Sequence, residues 1–434
     1  MNIPQFLLTI IDRVQNSGYQ AYIVGGAVRD TLLRLPVTDW DVATSAPPEK
    51  ISTIFRDLKN FSLKHGTVTL VDGDRHYEVT TFRGSEGVGH SIEEDLGYRD
   101  FTINAMAYDV DKKTILDPYG GKADILRKRI RAVGEPEDRF QEDPLRLIRA
   151  VRFAHELNFK IEKRTLETIS IMSEQLGSVA KERIRDEILK ILMSGKPSCG
   201  FNLMFRTVLL KQVLPELCEG YLKRQNTYHR FTIYKHIMET IDQVQPRPVL
   251  RLTALLHDIA KPRVREKVRG EWRFLGHEQA SAELAREIME RLRFSKAIMG
   301  RVTNLITHHM IWYDSEWSDG AVKRLIRRVG PENIDDLLSF RRADILAHGV
   351  KDEKLDQLSE LEKRVGESMK NQFTEKVRDL AIDGNRVMEI LNLSPGPQVG
   401  KILKRLLEKV TDHPELNTEE RLTGLLSEIS IGIK

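Results

Sequence analysis

The sequence is poor in cysteine, in long apolar runs and in net charge, and each scarcity excludes a class of protein. Two cysteines among 434 residues, Cys199 and Cys218, cannot form a disulfide framework or a four-cysteine zinc site. No apolar run reaches the roughly 18 residues of a membrane-spanning helix. The N-terminus lacks the basic and small-residue features of a signal peptide, so we expect a cytoplasmic protein with no membrane partner.

The charges nearly balance, with 68 Lys and Arg against 64 Asp and Glu and a formal net charge of +4. Such a balance hints only weakly at a nucleic-acid partner. A polyanion would therefore have to be held by local basic clusters, such as those at 261–273 and 323–328. The sequence does not indicate an oligomeric state.

The spacing of apolar residues divides the chain into two parts. Up to about residue 135, short apolar runs alternate with turns and predict strands separated by helices. From Glu142 onward, apolar residues recur at three- and four-residue spacing, which predicts an almost entirely helical region with breaks near 220–230 and 349–355. Strands are expected at 21–26, 38–44, 66–72, 76–82 and 102–110, and helices at 3–17 and near 48–60.

A Gly-Gly pair follows the first predicted strand, in the segment GGAVRD at 25–30. Gly25 and Gly26 allow the backbone to approach a bound group closely, and a helix starting there would direct its free amides at that group. Arg29 would add positive charge. The pattern is typical of a phosphate-binding turn, and a plain turn is the alternative.

Two carboxylates, Asp39 and Asp41, flank a tryptophan thirteen residues after the Gly-Gly pair. A strand places residues i and i+2 on the same face, so the two carboxylates would converge. Such a pair repels itself unless a cation or a proton neutralises it, and oxygen ligands favour Mg²⁺. Solvated strand-edge aspartates are the alternative. Glu78, in the strand HYEVTTF, is a candidate third carboxylate or an ordinary surface charge.

A third segment, EDPLR at 142–146, predicts a helix with Pro144 in its first turn. A carboxylate such as Asp143 accepts the amino hydrogen that cytosine and adenine carry on their Watson–Crick edge, while the guanidinium of Arg146 donates to the adjacent ring nitrogen. Uracil and guanine present a carbonyl and an N–H at these places, so the pair would accept C and A and reject U and G. The alternative is that Asp143 caps the helix and the arginines line a solvated face.

The ordered series of these motifs resembles the class II tRNA nucleotidyltransferases, which include CCA-adding, CC-adding and A-adding enzymes and bacterial poly(A) polymerases. The resemblance covers residues 20–195. It rests on GGAVRD (25–30), DWD (39–41), RDFTINAM (99–106), DPYGG (117–121), EDPLRLIRAVRFA (142–154) and ERIRDEILKIL (182–192).

The resemblance implies an α+β fold with a polymerase β-type nucleotidyltransferase head of mixed sheet and helices, followed by an all-α neck, body and tail. The expected boundaries are 1–140 for the head, 141–220 for the neck with the base-templating motif, 221–350 for the body and 351–434 for the tail. The implied partners are tRNA and CTP, with ATP as a further substrate in CCA-adding members.

The resemblance also implies roles for the matching residues. Asp39 and Asp41 would hold two Mg²⁺ ions, and Gly25, Gly26 and Arg29 would meet the triphosphate. Arg99 and Asp100 would help with the ribose, Asp143 and Arg146 would template the base, and Arg149 and Arg152 would support the nucleotide. Tyr98 stands where the family usually has an arginine, and this departure is expected to loosen a triphosphate or ribose contact.

A second constellation lies in the predicted body, where His257 and Asp258 follow an apolar run. Together with His236 and Asp344 they resemble the HD phosphohydrolase superfamily, in which two histidines and two aspartates bind a divalent cation. His277 and His309 fit positions where some members hold a second metal. The resemblance implies hydrolysis of phosphomonoesters or cyclic phosphates, and the alternative is an HD scaffold retained for packing.

The segment between Arg83 and Ser91 bears on the subtype, because only seven residues, 84–90, lie there. In CCA-adding members this stretch carries a flexible loop used in the switch from CTP to ATP, so the short segment resembles the CC-adding subgroup. The full CCA-adding enzyme is the alternative. An A-adding enzyme, a poly(A) polymerase, an HD phosphohydrolase with a vestigial head and a non-catalytic RNA-binding protein are less favoured.

Overall fold

The computed structural model describes residues 2–58, 60–62, 66–84, 87, 89–226, 230–348, 354–370 and 377–431. The chain divides into two compact units, Met1–Pro215 and Glu216–Lys434. Among the described residues, no helix combines the length and the apolar character needed to cross a bilayer.

The first unit contains a seven-stranded mixed sheet in the order β3-β4-β5-β2-β1-β6-β7. β2 and β5 run parallel, and all other neighbours in this sheet are antiparallel. The strands are β1 Ala21–Val24, β2 Trp40–Thr44, β3 Asn60–Ser62, β4 Thr67–Asp72, β5 Arg75–Thr81, β6 Ala107–Asp109, β7 Thr114–Leu116, β8 Arg129–Ile130, β9 Lys160–Ile161, β10 Glu266–Val268 and β11 Glu271–Arg273.

The helices surround this sheet in the first unit and make up nearly all of the second. They are α1 Gln5–Asn16, α2 Gly26–Leu32, α3 Pro48–Ile54, α4 Ile92–Gly97, α5 Gly121–Leu126, α6 Pro136–Glu142, α7 Arg146–Glu156, α8 Lys163–Ile171, α9 Lys181–Leu192, α10 Pro197–Arg206, α11 Leu209–Val213, α12 Pro215–Cys218, α13 Ile233–Gln243, α14 Pro248–Leu256, α15 His277–Arg291, α16 Lys296–His308, α17 Asp319–Val329, α18 Ile334–Leu346, α19 Lys354–Lys370, α20 Gly384–Leu391, α21 Pro397–Asp412 and α22 Glu419–Ile431.

Apolar burial explains why these elements form where they do. In α1 the residues at helical spacing, Leu7, Ile10, Ile11 and Val14, are all buried. The central strands β1 and β2 are buried almost throughout, as expected for strands in the middle of a covered sheet. The α+β fold class predicted from the sequence is thereby confirmed.

The expected strand at 102–110 is only partly correct. Residues Thr102–Asn104 form a 3₁₀ turn, and the strand β6 covers Ala107–Asp109 alone. The cause is local hydrogen bonding, because the Thr102 hydroxyl donates to Asp124 and the Asn104 amide donates to Asp100. Buried polar side chains with such partners hold the backbone in a turn against its apolar pattern.

The chain after Glu142 is almost all helix, as expected, and short strands interrupt it at two places. A short strand at 160–161 pairs in parallel with β8, and β10 and β11 form a hairpin. The hairpin loop, Arg269 and Gly270, has positive φ at both residues, which matches the twist of a two-residue hairpin. Helical spacing over longer windows concealed these short elements.

Candidate active site and candidate metal centre

A polar cavity of about 510 Å³ lies in the first unit, at the ends of β1 and β2 and beside α7 and α9. All eleven residues that the sequence nominated there line it. These are Gly25, Gly26, Arg29, Asp39, Asp41, Arg99, Asp100, Asp143, Arg146, Arg149 and Arg152. The volume falls within the range of small-molecule sites.

Gly25 makes the close approach between the strand-to-helix turn and the floor of this cavity. Its φ of +71° lies in the left-handed region, and α2 begins at the next residue. A Cβ atom at Gly25 would lie 2.9 Å from Nη1 of Arg99 and 3.4 Å from Oδ2 of Asp41. Glycine is therefore required here because of both conformation and space.

The carboxylates of Asp39 and Asp41 line the cavity from the start of β2. Asp41 pairs in register with Glu78 on the parallel strand β5, so both side chains leave the same face of the sheet. Burial raises the pKa of Asp41 to about 6, and the charges of Glu78 and Asp39 act in the same direction while Arg99 opposes them. Two carboxylates close together at the start of β2 fit a site for a divalent cation.

Two of the nominated arginines are held in place by aspartates. Arg29 donates from Nε and Nη2 to the two carboxylate oxygens of Asp30, at 2.8 and 3.0 Å, and from Nη1 to Oδ1 of Asn104 at 2.7 Å. Arg99 donates from Nε and Nη2 to Oδ2 of Asp95, at 3.2 and 3.1 Å. Because the partners fix the guanidinium planes, the positive charge is preorganised at the cavity wall.

Asp100 is bound by Arg149 and does not stand free for a ligand. Burial alone would raise the pKa of Asp100, but Arg149 and Asn104 lower it to about 2. Arg149 donates to Oδ2 of Asp100 from Nε at 2.9 Å and from Nη2 at 2.7 Å. Asp100 is therefore ionised at neutral pH and orients Arg149.

A second arginine–carboxylate pair fixes the far wall of the cavity. Arg152 donates from Nε to Oε2 of Glu187 at 2.6 Å and from Nη1 to Oε2 of Glu156 at 2.7 Å. The guanidinium of Arg152 also lies 4.1 Å from the ring centroid of Phe153. Arg29 and Arg149 approach the same ring, at 5.1 and 5.2 Å, so Phe153 orders three arginines.

The two residues nominated to read the base do not bind each other. Arg146 is buried and donates to Glu142 at 2.8 Å and to the backbone carbonyls of Arg139 and Tyr98 at 3.0 and 2.7 Å. The bond to Tyr98 uses its carbonyl, so it does not depend on the Tyr98 side chain. Asp143 instead accepts two hydrogen bonds from Arg183.

The placement of Pro144 in the first turn of a helix is wrong. α7 begins at Arg146, and a tight turn precedes it, with i→i+3 hydrogen bonds from Arg146 N to Asp143 O and from Leu147 N to Pro144 O. Asp143 accepts from the backbone N–H of Leu145 at 3.3 Å, so it caps this turn. The turn leaves the Asp143 carboxylate at the cavity.

Several cavity residues were not nominated by the sequence. Arg183 and Lys190 belong to ERIRDEILKIL, a segment that entered the family resemblance without a role. Arg83, Asn104 and Phe153 line the cavity within or beside other motifs. A basic residue on a helix usually faces solvent, so only the family resemblance of these segments could have indicated them.

The short segment after Arg83 contains Ser85, Glu86 and Val88, which lie outside the described residues. Its described glycines are closely packed, since the N–H of Gly89 donates to the carbonyl of Phe82 at 2.7 Å and that of Gly87 donates to the carbonyl of Gly84 at 3.0 Å. A Cβ atom on Gly84 would lie 2.6 Å from Cα of Gly89.

The four residues nominated as a metal site converge in the second unit, where α13, α14 and α18 pack on one another. Nε2 of His236 lies 3.3 Å from Nε2 of His257 and 2.9 Å from Oδ1 of Asp344. Nε2 of His257 lies 3.2 Å from Oδ2 of Asp258. All four side chains are buried, and the ligand atoms of His236, His257 and Asp344 lie within 4.8 Å of one another.

A second group of three, Asp258, His277 and His309, adjoins the first and is also arranged to hold a cation. Nδ1 of His277 and Nδ1 of His309 lie 2.8 and 2.7 Å from the backbone carbonyls of Phe274 and Ile306. A carbonyl acceptor places the proton on Nδ1, which leaves Nε2 as the ligand atom. Nε2 of His277 hydrogen-bonds to no described residue.

The charges around this histidine cluster are compensated by the protein itself. Burial would raise the pKa of Asp258, but His257 and Lys261 lower it well below its usual value, and Nζ of Lys261 lies 2.6 Å from Oδ2. Burial would lower the pKa of His257, but Asp258 raises it to about 9, so a bound metal would replace that proton. A cavity of about 550 Å³ opens beside these residues.

Family models match three stretches of the chain. Residues 21–131 match the poly A polymerase head domain, and residues 158–220 match a probable RNA and SrmB-binding site of polymerase A. Residues 229–349 match the HD domain. The matched stretches contain the Gly-Gly turn, the paired aspartates and the histidine cluster.

Similar proteins carry one recurrent name. The chain is 40% identical over 247 residues to a CCA-adding enzyme of Pediococcus pentosaceus, and this match covers 54% of this chain and 61% of that protein. In several such matches the chain spans less than two thirds of the length of the relative. A CCA-adding enzyme of Limosilactobacillus reuteri matches at 29% identity over 97% of this chain and 96% of its own.

Solved structures give the same result. The structure of the Bacillus stearothermophilus CCA-adding enzyme in complex with CTP matches at 29% identity with a TM-score of 0.73, over 99% of this chain and 98% of that one. A Thermotoga maritima CCA-adding enzyme complexed with tRNA shares the fold at 21% identity and a TM-score of 0.58, over 100% of this chain and 97% of its own. By these matches the chain contains a poly A polymerase head domain and an HD domain, and over nearly its whole length it is similar to enzymes named CCA-adding enzyme.

Proposed function

We propose that this chain transfers CMP from CTP to the 3′ end of tRNA. The observation that supports this proposal is that one cavity contains the paired aspartates, the Gly-Gly turn, the preorganised arginines and Asp143. The likeness to an enzyme whose structure holds CTP supports the choice of nucleotide. We also propose that the chain is divided into a head, a neck, a body and a tail, with boundaries near residues 140, 220 and 350.

Magnesium fits the part of the cavity lined by Asp39 and Asp41, because paired carboxylate oxygens are the ligands that this hard cation prefers. Asp39 and Asp41 would hold the ions, with Glu78 as a third candidate. When bound, Mg²⁺ favours attack of the tRNA 3′-hydroxyl on the α-phosphate and stabilises the pyrophosphate leaving group. The protein receives the triphosphate with the N-terminus of α2 and the fixed guanidinium of Arg29.

The remaining arginines position the nucleotide. Arg99 stands between the Gly25 turn and the acidic pair, and Arg149, oriented by Asp100, stands beside Phe153. Asp143 would accept a hydrogen bond from the exocyclic amino group of cytosine. Arg146 would donate to the adjacent ring nitrogen with N–H groups that are not used in its hydrogen bonds to the protein. The protein, and no nucleic-acid strand, would then read the base.

We further propose that addition stops after two cytidines. The short length of segment 84–90 and the close approach of Gly84 to Gly89 support this subtype, because the family resemblance assigns the switch from CTP to ATP to a longer flexible loop in this place. The names of the relatives favour the full CCA-adding enzyme, which is the alternative. Both subtypes use the same cavity residues.

Separate incorporation of labelled CTP and ATP distinguishes the two subtypes. With a tRNA ending at its discriminator base, we expect two CMP residues and no AMP. With a tRNA ending in CC, we expect little AMP even at high ATP, and transplanting the longer loop of a CCA-adding relative should confer AMP addition. Efficient conversion of the CC end to CCA by the unmodified protein would establish the alternative.

A second activity is favoured by the histidine cluster, whose Nε2 atoms face carboxylates in a buried centre. We propose that it binds divalent metal and hydrolyses phosphomonoesters or cyclic phosphates. The combined change His257→Ala and Asp258→Ala should abolish metal-dependent phosphatase or phosphodiesterase activity and leave nucleotide addition intact. Loss of both activities in a folded variant would show that the cluster serves nucleotide addition instead.

A further inference from the structure

The carboxylate of Asp143 is not free on both sides, and this bears on how it can read a base. Nη1 of Arg183 donates to Oδ1 at 3.1 Å, and Nη2 donates to Oδ2 at 2.8 Å. The backbone N–H of Leu145 also donates to Oδ1, at 3.3 Å. Arg183 and Asp143 both line the cavity, so this pair stands where the nucleotide is proposed to bind.

The acceptor capacity of Asp143 follows from these contacts. A carboxylate oxygen accepts two hydrogen bonds in the plane of the group. Among the described residues, Arg183 and Leu145 donate to Oδ1, which is therefore full, whereas Arg183 alone donates to Oδ2. One acceptor position therefore remains, on Oδ2, and Arg183 fixes its direction because a bidentate pair holds the carboxylate plane.

We propose that Arg183 is a specificity-determining positioning residue that limits Asp143 to one hydrogen bond from the base. The inference rests on the proposed function. Cytosine and adenine need only one acceptor, for their exocyclic amino group. Guanine carries two adjacent donors, N1–H and the 2-amino group, which match both oxygens of an unrestrained carboxylate.

Guanine is thus the base that Arg183 excludes. With Oδ1 occupied, guanine can form only one of these two hydrogen bonds, and its other N–H group is left without an acceptor on Asp143. Uracil has a single N–H between two carbonyls and gains little from a freed carboxylate. Loss of Arg183 should therefore admit guanine selectively, whereas a general loosening of the cavity would admit both wrong bases.

Single-nucleotide incorporation into a tRNA ending at its discriminator base tests this inference, with each nucleotide supplied alone. The variants are Arg183→Ala, Arg183→Gln and Arg183→Lys, and the matched control is Arg185→Ala on the same helix, since Arg185 pairs with Asp186 and does not line the cavity. Arg183 is about half exposed, so thermal unfolding of each variant should stay near that of the unmodified protein.

For Arg183→Ala and Arg183→Gln we expect the ratio of kcat/KM with GTP to kcat/KM with CTP to rise at least about tenfold, the usual effect of one hydrogen bond to a charged group. The ratio of kcat/KM with UTP to kcat/KM with CTP should change less than about threefold. Arg183→Lys should give an intermediate value because an ammonium cannot hold both oxygens in one plane. Arg185→Ala should leave both ratios unchanged.

Equal rises for GMP and UMP, or no change in either ratio, would overturn the role of Arg183 while the unmodified protein still adds CMP. Absence of CMP addition by the unmodified protein would overturn the proposed function and this inference with it.

Discussion

The cavity of the first unit and the histidine cluster of the second both contain aspartates, but the charges beside Asp41 and Asp258 act differently. In the cavity, burial and neighbouring carboxylates raise the pKa of Asp41 to about 6. In the cluster, burial is outweighed by histidine and lysine, and the pKa of Asp258 falls well below its usual value. Asp258 therefore has a cationic partner in Lys261, whereas at Asp41 the effect of burial outweighs the opposing charge of Arg99.

The two sites also differ in the type of cationic side chain that they contain. The cavity uses arginines, whose planar forks suit phosphate and nucleobase edges and stay charged. The cluster uses imidazoles, which lose a proton to become metal ligands. Burial alone therefore does not identify the chemistry of an aspartate; the type of its neighbours does.

The largest expected effect is that of a substitution at Asp41, which should impair the cavity of the first unit without affecting the histidine cluster. Asp41→Asn should lower CMP incorporation by about 10³-fold, because a neutral amide is a poor ligand for the ions that stabilise the transition state. The protein should still bind tRNA and keep any metal-dependent hydrolysis. Asp72→Asn, an exposed change on β4 of the same sheet, is the control. Near-normal turnover of Asp41→Asn would remove this residue from the catalytic assignment.

The reverse separation is expected at His257. His257→Ala should weaken divalent-metal binding to the second unit by more than about 100-fold, since loss of a direct ligand exceeds the 10–100-fold typical of outer partners. Metal analysis after dialysis measures this, and CMP incorporation should stay within about twofold. His413→Ala, an exposed histidine paired with Glu415, should retain the metal. Full metal retention by His257→Ala would contradict the site.

A smaller effect concerns base choice in the arginine-rich cavity. Arg146→Ala should lower the rate with CTP and reduce discrimination against UTP and GTP by about 10–100-fold, the effect of losing a hydrogen bond from a charged donor. Competition between nucleotides on one tRNA measures it, with Arg164→Ala, an exposed arginine paired with Glu137, as control. Unchanged selectivity would remove Arg146 from base reading.

The smallest effect distinguishes the two glycines of the turn. Gly25→Ala should lower the free energy of unfolding by about 1–2 kcal/mol, because its φ is positive and the new Cβ meets Arg99. Gly26→Ala should be nearly neutral for folding, since its Cβ would lie 3.5 Å from Arg29 at ordinary contact distance. Chemical denaturation of both variants provides the comparison, and equal losses would argue against the turn geometry.

Sequence reasoning found the elements with strong local signals. The strands and helices up to about residue 135, the helix in 3–17 and the mainly helical remainder follow from apolar spacing, whereas the α+β class was implied by the family resemblance. The structure brings eleven nominated residues to one cavity, but Glu78 is not among the residues that line it. It missed the hairpin at 266–273 because three-residue strands leave almost no periodic signal. It misplaced Pro144 because the tight turn before α7 depends on hydrogen bonds that no spacing rule shows.

The partners of the site residues were also beyond the sequence. Nothing in the spacing indicates that Asp143 binds Arg183, 40 positions away, or that Arg146 is taken up by Glu142 and backbone carbonyls. The Asp143–Arg183 contact depends on how α9 packs beside α7, and the Arg146 contacts depend on how α7 follows α6 and lies beside Tyr98. Side-chain geometry across two helices is a tertiary property, whereas motif order is a property of the chain.

The most direct measurement is incorporation of labelled CTP by the unmodified protein and by Asp41→Asn into a tRNA lacking its 3′ CCA end. The account predicts Mg²⁺-dependent addition of CMP by the unmodified protein and its near-complete loss in the variant, with tRNA binding retained. Absence of CMP addition by the unmodified protein, or equal addition by both proteins, would contradict it.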